Sequence, residues 1–199
     1  MSRKVLGLAQ VVDIASNVRE PYSTLVLFLA VTGCRIGEAI AIKWSDFDGD
    51  VLHVQRRIYN GKIDTAKTEG SDRKIPIPTV LLERMRRLGG SEWVFRGRGG
   101  SPVNPGNVLK RYVRPAAENL GIALSGWHDF RHTVATKMLR SGISPKVVSE
   151  LLGHADVSIT LNTYDHVDTE SFRAPLDRAA GQLLRDVTKS GFSEEKAVA

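Results

Sequence analysis

A chain of 199 residues, 42% hydrophobic and 25% charged, has enough apolar material for one sizeable core and too little length for two full domains. It contains no run of roughly 18 apolar residues that could span a bilayer and no signal-peptide pattern at its start. Its single cysteine, Cys34, leaves neither an internal disulfide nor a thiolate cluster for zinc, so a cytosolic protein is expected. The formal net charge of +6 is regional: Val51 to Arg114 holds 14 Lys/Arg against 5 Asp/Glu. Such a field suits a polyanion, because each phosphate neutralised releases counterions, although solvated surfaces are often lopsided too.

Apolar residues at helical spacing run through "LAQVVDIASNV" and "YSTLVLFLAVTG", the second entered at Pro21 and stopped at Gly33, which predicts two helices. A further helix is predicted to begin near Arg35 in "CRIGEAIAIKW". The β-branched residues and partial alternation of "VLHVQRRIY" predict a strand, Asn60-Gly61 a tight hairpin turn, and "KIPIP" another short strand. After Thr79, "VLLERMRRL" is helical, the glycine-rich "RGRGGSPVNPG" breaks the pattern, and "VLKRYVRPAAENL" resumes it with Pro115 marking a kink or break. The last third reads as all helical. Phe130, Val134 and Met138 place one stripe of "HDFRHTVATKML" on the core, two short helices follow at "PKVVSELLG" and "SITLNTYDHV", and a last one runs from about Thr169 to Val187. The expected fold class is α+β, mainly helical with a small antiparallel sheet near residues 51–77. One domain over 1–187 is expected, with 188–199 a disordered tail.

Two arginines stand beside apolar sequence. Arg35 opens a helix, and Arg131 follows His128 by three residues, so both of the latter side chains leave roughly one face. A guanidinium is a planar fork matched to carboxylate or phosphate oxygens, so burying one demands an anion. The bland reading of Arg35 is a structural ion pair with Glu38, one turn along. Lys67 in "TAKTEGSDRKIPIP" would ordinarily be a solvated turn lysine, and His154 and Tyr164 in "LLGHADVSITLNTYDHV" packed amphipathic side chains. His128 and His132 have the i, i+4 spacing of a zinc hydrolase, with His154 available as a third ligand. Asp129 stands where the zinc-protease motif wants Glu, however, and Arg131 would set a cation beside the metal.

Taken together, "TGCRIGEAIAIKW", "WHDFRHTVAT" and "LLGHADVSITLNTYDHV", with a lysine between the first two boxes, resemble the active-site set of the tyrosine recombinases, the phage integrase family. The resemblance covers roughly Thr24 to Val167. It implies the recombinase catalytic fold and a catalytic set of Arg35, Lys67, His128, Arg131, His154 and Tyr164. Glu38 would orient a basic neighbour, and His132 would support or pack beside Arg131. It further implies site-specific DNA recombination through a 3′-phosphotyrosyl intermediate, with no cofactor and no metal. Double-stranded DNA is the implied partner, bound by a homotetramer that is a monomer when free; no membrane is involved, and the expected place is the cytoplasm at the nucleoid. Members usually carry a separate amino-terminal DNA-binding domain, which is expected to be absent because Met1 stands close ahead of the first arginine box. The alternatives are type IB topoisomerase-like relaxation and a DNA-binding module that has lost catalysis.

Overall fold

A computed structural model describes residues 5–65, 72–90, 92–153 and 173–189. Helix α1 (Leu8–Ser16) leads to α2 (Tyr22–Thr32), in which every residue from Ser23 to Thr32 is buried. A helix apolar on all sides can be stable only when surrounded, and α2 is the central rod of the fold. It ends at Gly33, whose left-handed backbone (φ 66°) donates its N–H to the Leu29 carbonyl, the usual glycine stop.

The single turn α3 (Ile36–Ala39) and a 3-10 turn (Trp44–Asp46) lead into five short strands. These are β1 (Phe47–Asp48), β2 (Val51–Val54), β3 (Arg56–Tyr59), β4 (Lys62–Thr65) and β5 (Arg73–Pro76). They form two sheets rather than one: an antiparallel β1-β2-β5 sheet and a separate β3-β4 hairpin. The expected single strand "VLHVQRRIY" therefore divides at Gln55. Before it, Leu52 pairs with Ile75 and both are fully buried. At the break, Gln55 and Arg56 donate to the Asp46 carboxylate, which holds the chain as it leaves the first sheet. The hairpin turn is at Asn60-Gly61 as expected, with φ of 48° and 74°, the positive pair that a type I′ turn requires.

Helix α4 (Thr79–Arg87) packs on α2. Further on, α5 (Pro105–Val108), a π-helical turn (Leu109–Val113) and α6 (Arg114–Asn119) form one helical path. Pro115 does not break it. A proline ring lacks an N–H and crowds the carbonyl four residues back, and the widened π turn just ahead makes the room. Helix α7 (His128–Arg140) follows, then α8 (Pro145–Leu152), entered through Ser144, whose Oγ accepts from the Val147 N–H, and closed by Gly153 at φ 65°. Phe130, Val134 and Met138 are all buried, as their spacing predicts.

Helix α9 (Arg173–Lys189) buries Leu176, Ala180, Leu183 and Leu184, and packs against α1, α2 and α4. Arg173 pairs with Asp50. The helix expected at "SITLNTYDHV" and the tail fall outside the described residues. Among the described residues, no helix is long and apolar enough to cross a membrane.

Candidate active site

The site begins where α2 stops. Gly33 frees the chain to turn, and Arg35, in extended conformation, becomes the residue that caps α3. Glu38 on the first turn of α3 reaches back, its Oε2 accepting from the Arg35 backbone N–H at 2.9 Å and its Oε1 from Arg35 Nη1 at 2.9 Å. The first bond is half of a capping box. The second fixes the guanidinium of the residue just capped. A third donor arrives from β5, where Arg73 Nη2 lies 2.8 Å from Glu38 Oε2 and 3.7 Å from the Cys34 sulfur.

The carboxylate is buried, at 5% exposure. Burial by itself would raise its pKa, but the charge of Arg73 and the hydrogen bonds from Arg73 and Arg35 outweigh that and hold it below the ordinary carboxylate value. The Cys34 thiol is pushed up, chiefly by its burial, and so is held as a neutral thiol.

The three guanidinium groups also share a target. The last carbonyls of a helix have no partner within it and carry its partial negative charge. At the end of α8, Arg73 Nε donates to the Leu151 carbonyl at 2.7 Å, Arg131 Nη2 to the Leu152 carbonyl at 2.7 Å, and Arg35 Nη2 to the Gly153 carbonyl at 3.0 Å. Three consecutive carbonyls thus receive three cations from three different elements. Arg131 further donates through Nη1 to the Gly33 carbonyl, tying α7 to the end of α2.

Positive charge is in excess around this point. Burial first, and then the like charge of Arg35, lower Arg131 from the ordinary guanidinium value to about 10, so it remains charged at neutral pH. Arg131 is 6% exposed and the Arg35 side chain 37%. Each has N–H donors to spare beyond these bonds, and Arg35 is the more open to an incoming anion.

The fold therefore brings together Arg35, Glu38 and Arg131. His128 is the first residue of α7 and is exposed, and His132 is half-buried, so His128 and Arg131 differ in exposure despite their spacing. Between them, buried Asp129 accepts the Ser125 N–H at 2.6 Å and the Gly126 N–H at 3.3 Å, closing the start of α7. Lys67, His154 and Tyr164 lie outside the described residues: Lys67 between β4 and β5, His154 directly after Gly153, and Tyr164 between α8 and α9. Among the described residues, no group of three His, Cys, Asp or Glu is arranged to hold a metal ion.

Arg73 is the member that sequence reasoning missed. Its signal was present in the alternation of "RKIPIP": Arg73 shares its face with Ile75 and Ile77, both fully buried, and a charge on the core face of a strand needs a partner.

Comparison with known proteins bears on the same segments. The sequence matches the phage integrase family over residues 4–171. It is 34% identical over 176 residues to a tyrosine recombinase XerC-like protein of Caldanaerobacter subterraneus subsp. tengcongensis, covering 72% of this chain and 45% of that one. It is 33% identical over 166 residues to tyrosine recombinase XerA of Pyrococcus furiosus, covering 78% and 53%. The chain thus spans about half the length of these relatives. Its fold is similar to that of the Tn1549 transposon integrase solved in complex with transposon right end DNA, with a TM-score of 0.68 and 24% identity, over 89% of this chain and 66% of that one. On the extent of the family match and the identity to these recombinases, the chain belongs to the phage integrase family.

Proposed function

We propose that this chain is the catalytic part of a site-specific DNA recombinase that cuts and rejoins strands through a covalent bond to Tyr164. The observation that carries the reading is the convergence of Arg35 and Arg131, far apart in sequence, on the Leu152 and Gly153 carbonyls, immediately ahead of His154. Both arginines have donors to spare. An oxygen attacking phosphorus builds extra negative charge on the non-bridging oxygens, and donors positioned beforehand lower that barrier most. Arg35 and Arg131 take this part, and His154 adds a hydrogen bond to the same oxygens.

Tyr164 is the nucleophile. A phenol has a pKa of about 10, so ionising it first at neutral pH would cost roughly 4 kcal/mol. His128 accepts its proton as the Oη–P bond forms. Lys67 is the general acid that protonates the departing 5′ oxygen as the P–O bond breaks. The product is a 3′-phosphotyrosyl link and a free 5′ hydroxyl. Because the phosphodiester is exchanged rather than hydrolysed, a 5′ hydroxyl from another strand can attack it and release Tyr164 with no energy source. The arginines supply the positive charge that a metal would otherwise bring.

Double-stranded DNA is the partner, in keeping with the regional positive charge and with the DNA-bound Tn1549 integrase. Exchange between two duplexes involves a cut in every strand and one tyrosine for each cut, so a homotetramer is the working assembly.

The test is incubation with nicked duplexes that trap the covalent intermediate, followed by a denaturing gel with and without EDTA. A retarded band should survive the chelator and disappear in Tyr164→Phe. Loss of the band in EDTA, or its persistence in the phenylalanine variant, would overturn the reading. Four-way junction products distinguish recombination from simple relaxation.

A further inference from the structure

The geometry points to Arg73 as a positioning residue for the cleavage proposed above, one that fixes where Arg35 stands against the end of α8. This inference rests on that reading of the site. The side chain of Arg73 is only 7% exposed, against 37% for Arg35, so Arg73 is poorly placed to touch a DNA phosphate. Its bonds run inward, from Nε to the Leu151 carbonyl and from Nη2 to Glu38 Oε2.

Those two bonds complete a ring. Glu38 holds Arg35 Nη1 at 2.9 Å, Arg35 Nη2 holds the Gly153 carbonyl at 3.0 Å, the backbone runs back to Leu151, and Arg73 closes the circuit. Within it, Arg35 is held from the carboxylate side and from the helix side. Opening the ring at Arg73 leaves Glu38 held only by Arg35 itself, through its backbone N–H and Nη1, and the end of α8 tied to one fewer element.

A role in stability alone explains the arrangement poorly. Ion pairs taken out of water repay their desolvation only with excellent geometry, and apolar replacements often serve stability as well. Arg73 does not even use its full capacity: Nη1 is buried and has no partner among the described residues. What the planar fork supplies is two bonds at a set angle, which a lysine, a point donor, cannot reproduce.

The test uses Arg73→Lys, which keeps the charge and loses the fork, with a thermal melt to verify folding. Misplacing a catalytic group by about 1 Å can cost on the order of 100-fold in rate, and single-turnover cleavage of a nicked duplex at saturating DNA is expected to fall by about that factor. DNA affinity should change by less than about threefold, the scatter expected of uncoupled sites. In an Arg35→Lys background, where the ring is already open, the added loss should shrink to less than about threefold. The same large loss in both backgrounds, or no loss in either, would overturn the proposal.

A second measurement needs no cleavage. In DNA-free protein, the two Nη nitrogens of Arg35 should give separate NMR signals because both are bonded, and Arg73→Lys should merge them; signals that stay separate and unmoved would also overturn it. Should the lysine variant not fold, Arg73→Gln is read by the same two measurements. If the wild-type protein forms no adduct at Tyr164, the cleavage reading fails, while the NMR comparison still decides whether Arg73 fixes Arg35.

Discussion

Arg131 closes the carboxy-terminal end of α8 through Leu152, its Nη2 lying 2.7 Å from the Leu152 carbonyl while Nη1 donates to Gly33. One side chain thus joins α7, α8 and the end of α2. Arg131→Lys keeps the charge but cannot serve both carbonyls. Leaving one unsatisfied should cost about 1 to 3 kcal/mol of stability, read by urea unfolding. Loss of a prepositioned donor should slow cleavage by about 100- to 1000-fold, read under single-turnover conditions. A variant cleaving at the wild-type rate would remove Arg131 from the chemistry.

Gly33 makes that junction possible. A Cβ there would lie 2.3 Å from Leu152 Cδ2 and 2.9 Å from Val134 Cγ1, on a backbone with φ 66°. Gly33→Ala should therefore combine left-handed strain of about 1 to 2 kcal/mol with overpacking of about 1 to 3 kcal/mol. Gly49 is the control. Its φ is 62° and nothing lies within 4 Å of the position a Cβ would take, so Gly49→Ala should lose the strain alone. Equal losses in thermal melts of the two variants would refute the packing argument.

Asp129 explains part of the "WHDFRH" pattern that the metal reading could not use. Its Oδ2 receives the Ser125 and Gly126 N–H groups and so sets the first turn of α7, from which His128 projects. Asp129→Ala leaves the Ser125 and Gly126 N–H groups without their acceptor and should cost about 1 to 3 kcal/mol. Asp129→Asn keeps an acceptor and should lose less. Urea unfolding that ranks the two in the opposite order would contradict this role.

What was legible in the sequence was whatever local chemistry decides. The Pro21 entry and Gly33 stop of α2, the Asn60-Gly61 turn and the Phe130, Val134, Met138 stripe all follow from backbone freedom and side-chain period. The three boxes were legible as residue types in order, and so was the pairing of Arg35 with Glu38. Long-range partners were not. Nothing within "VLHVQRRIY" tells that Gln55 and Arg56 turn to Asp46 and split the strand between two sheets. Nor does spacing reveal that arginines from α7, β5 and the end of α2 meet at the end of α8, because those bonds join residues 21 to 118 positions apart. Helical period placed His128 and Arg131 on one face, yet the buried fork of Arg131 and the exposed ring of His128 depend on what covers each.

Glu38 supplies a pH signature. Its carboxyl is held below the ordinary value of 4.5 because the charge of Arg73 and the bonds from both arginines outweigh the opposing effect of burial. The unfolded chain therefore takes up this proton at a higher pH than the folded one. It follows that the stabilisation is fully present above the unfolded pKa and is lost as pH falls through the lower folded value. At neutral pH, Glu38→Gln should cost about 3 to 5 kcal/mol, the usual loss on removing one partner of a buried ion pair. The gap between wild type and variant should then narrow as the pH is lowered from about 7 to about 3, because the wild type loses its advantage there while glutamine does not titrate. Urea unfolding of both proteins across that range is the measurement, and a gap that stays constant would mean that Glu38 is not held ionised by its two arginines.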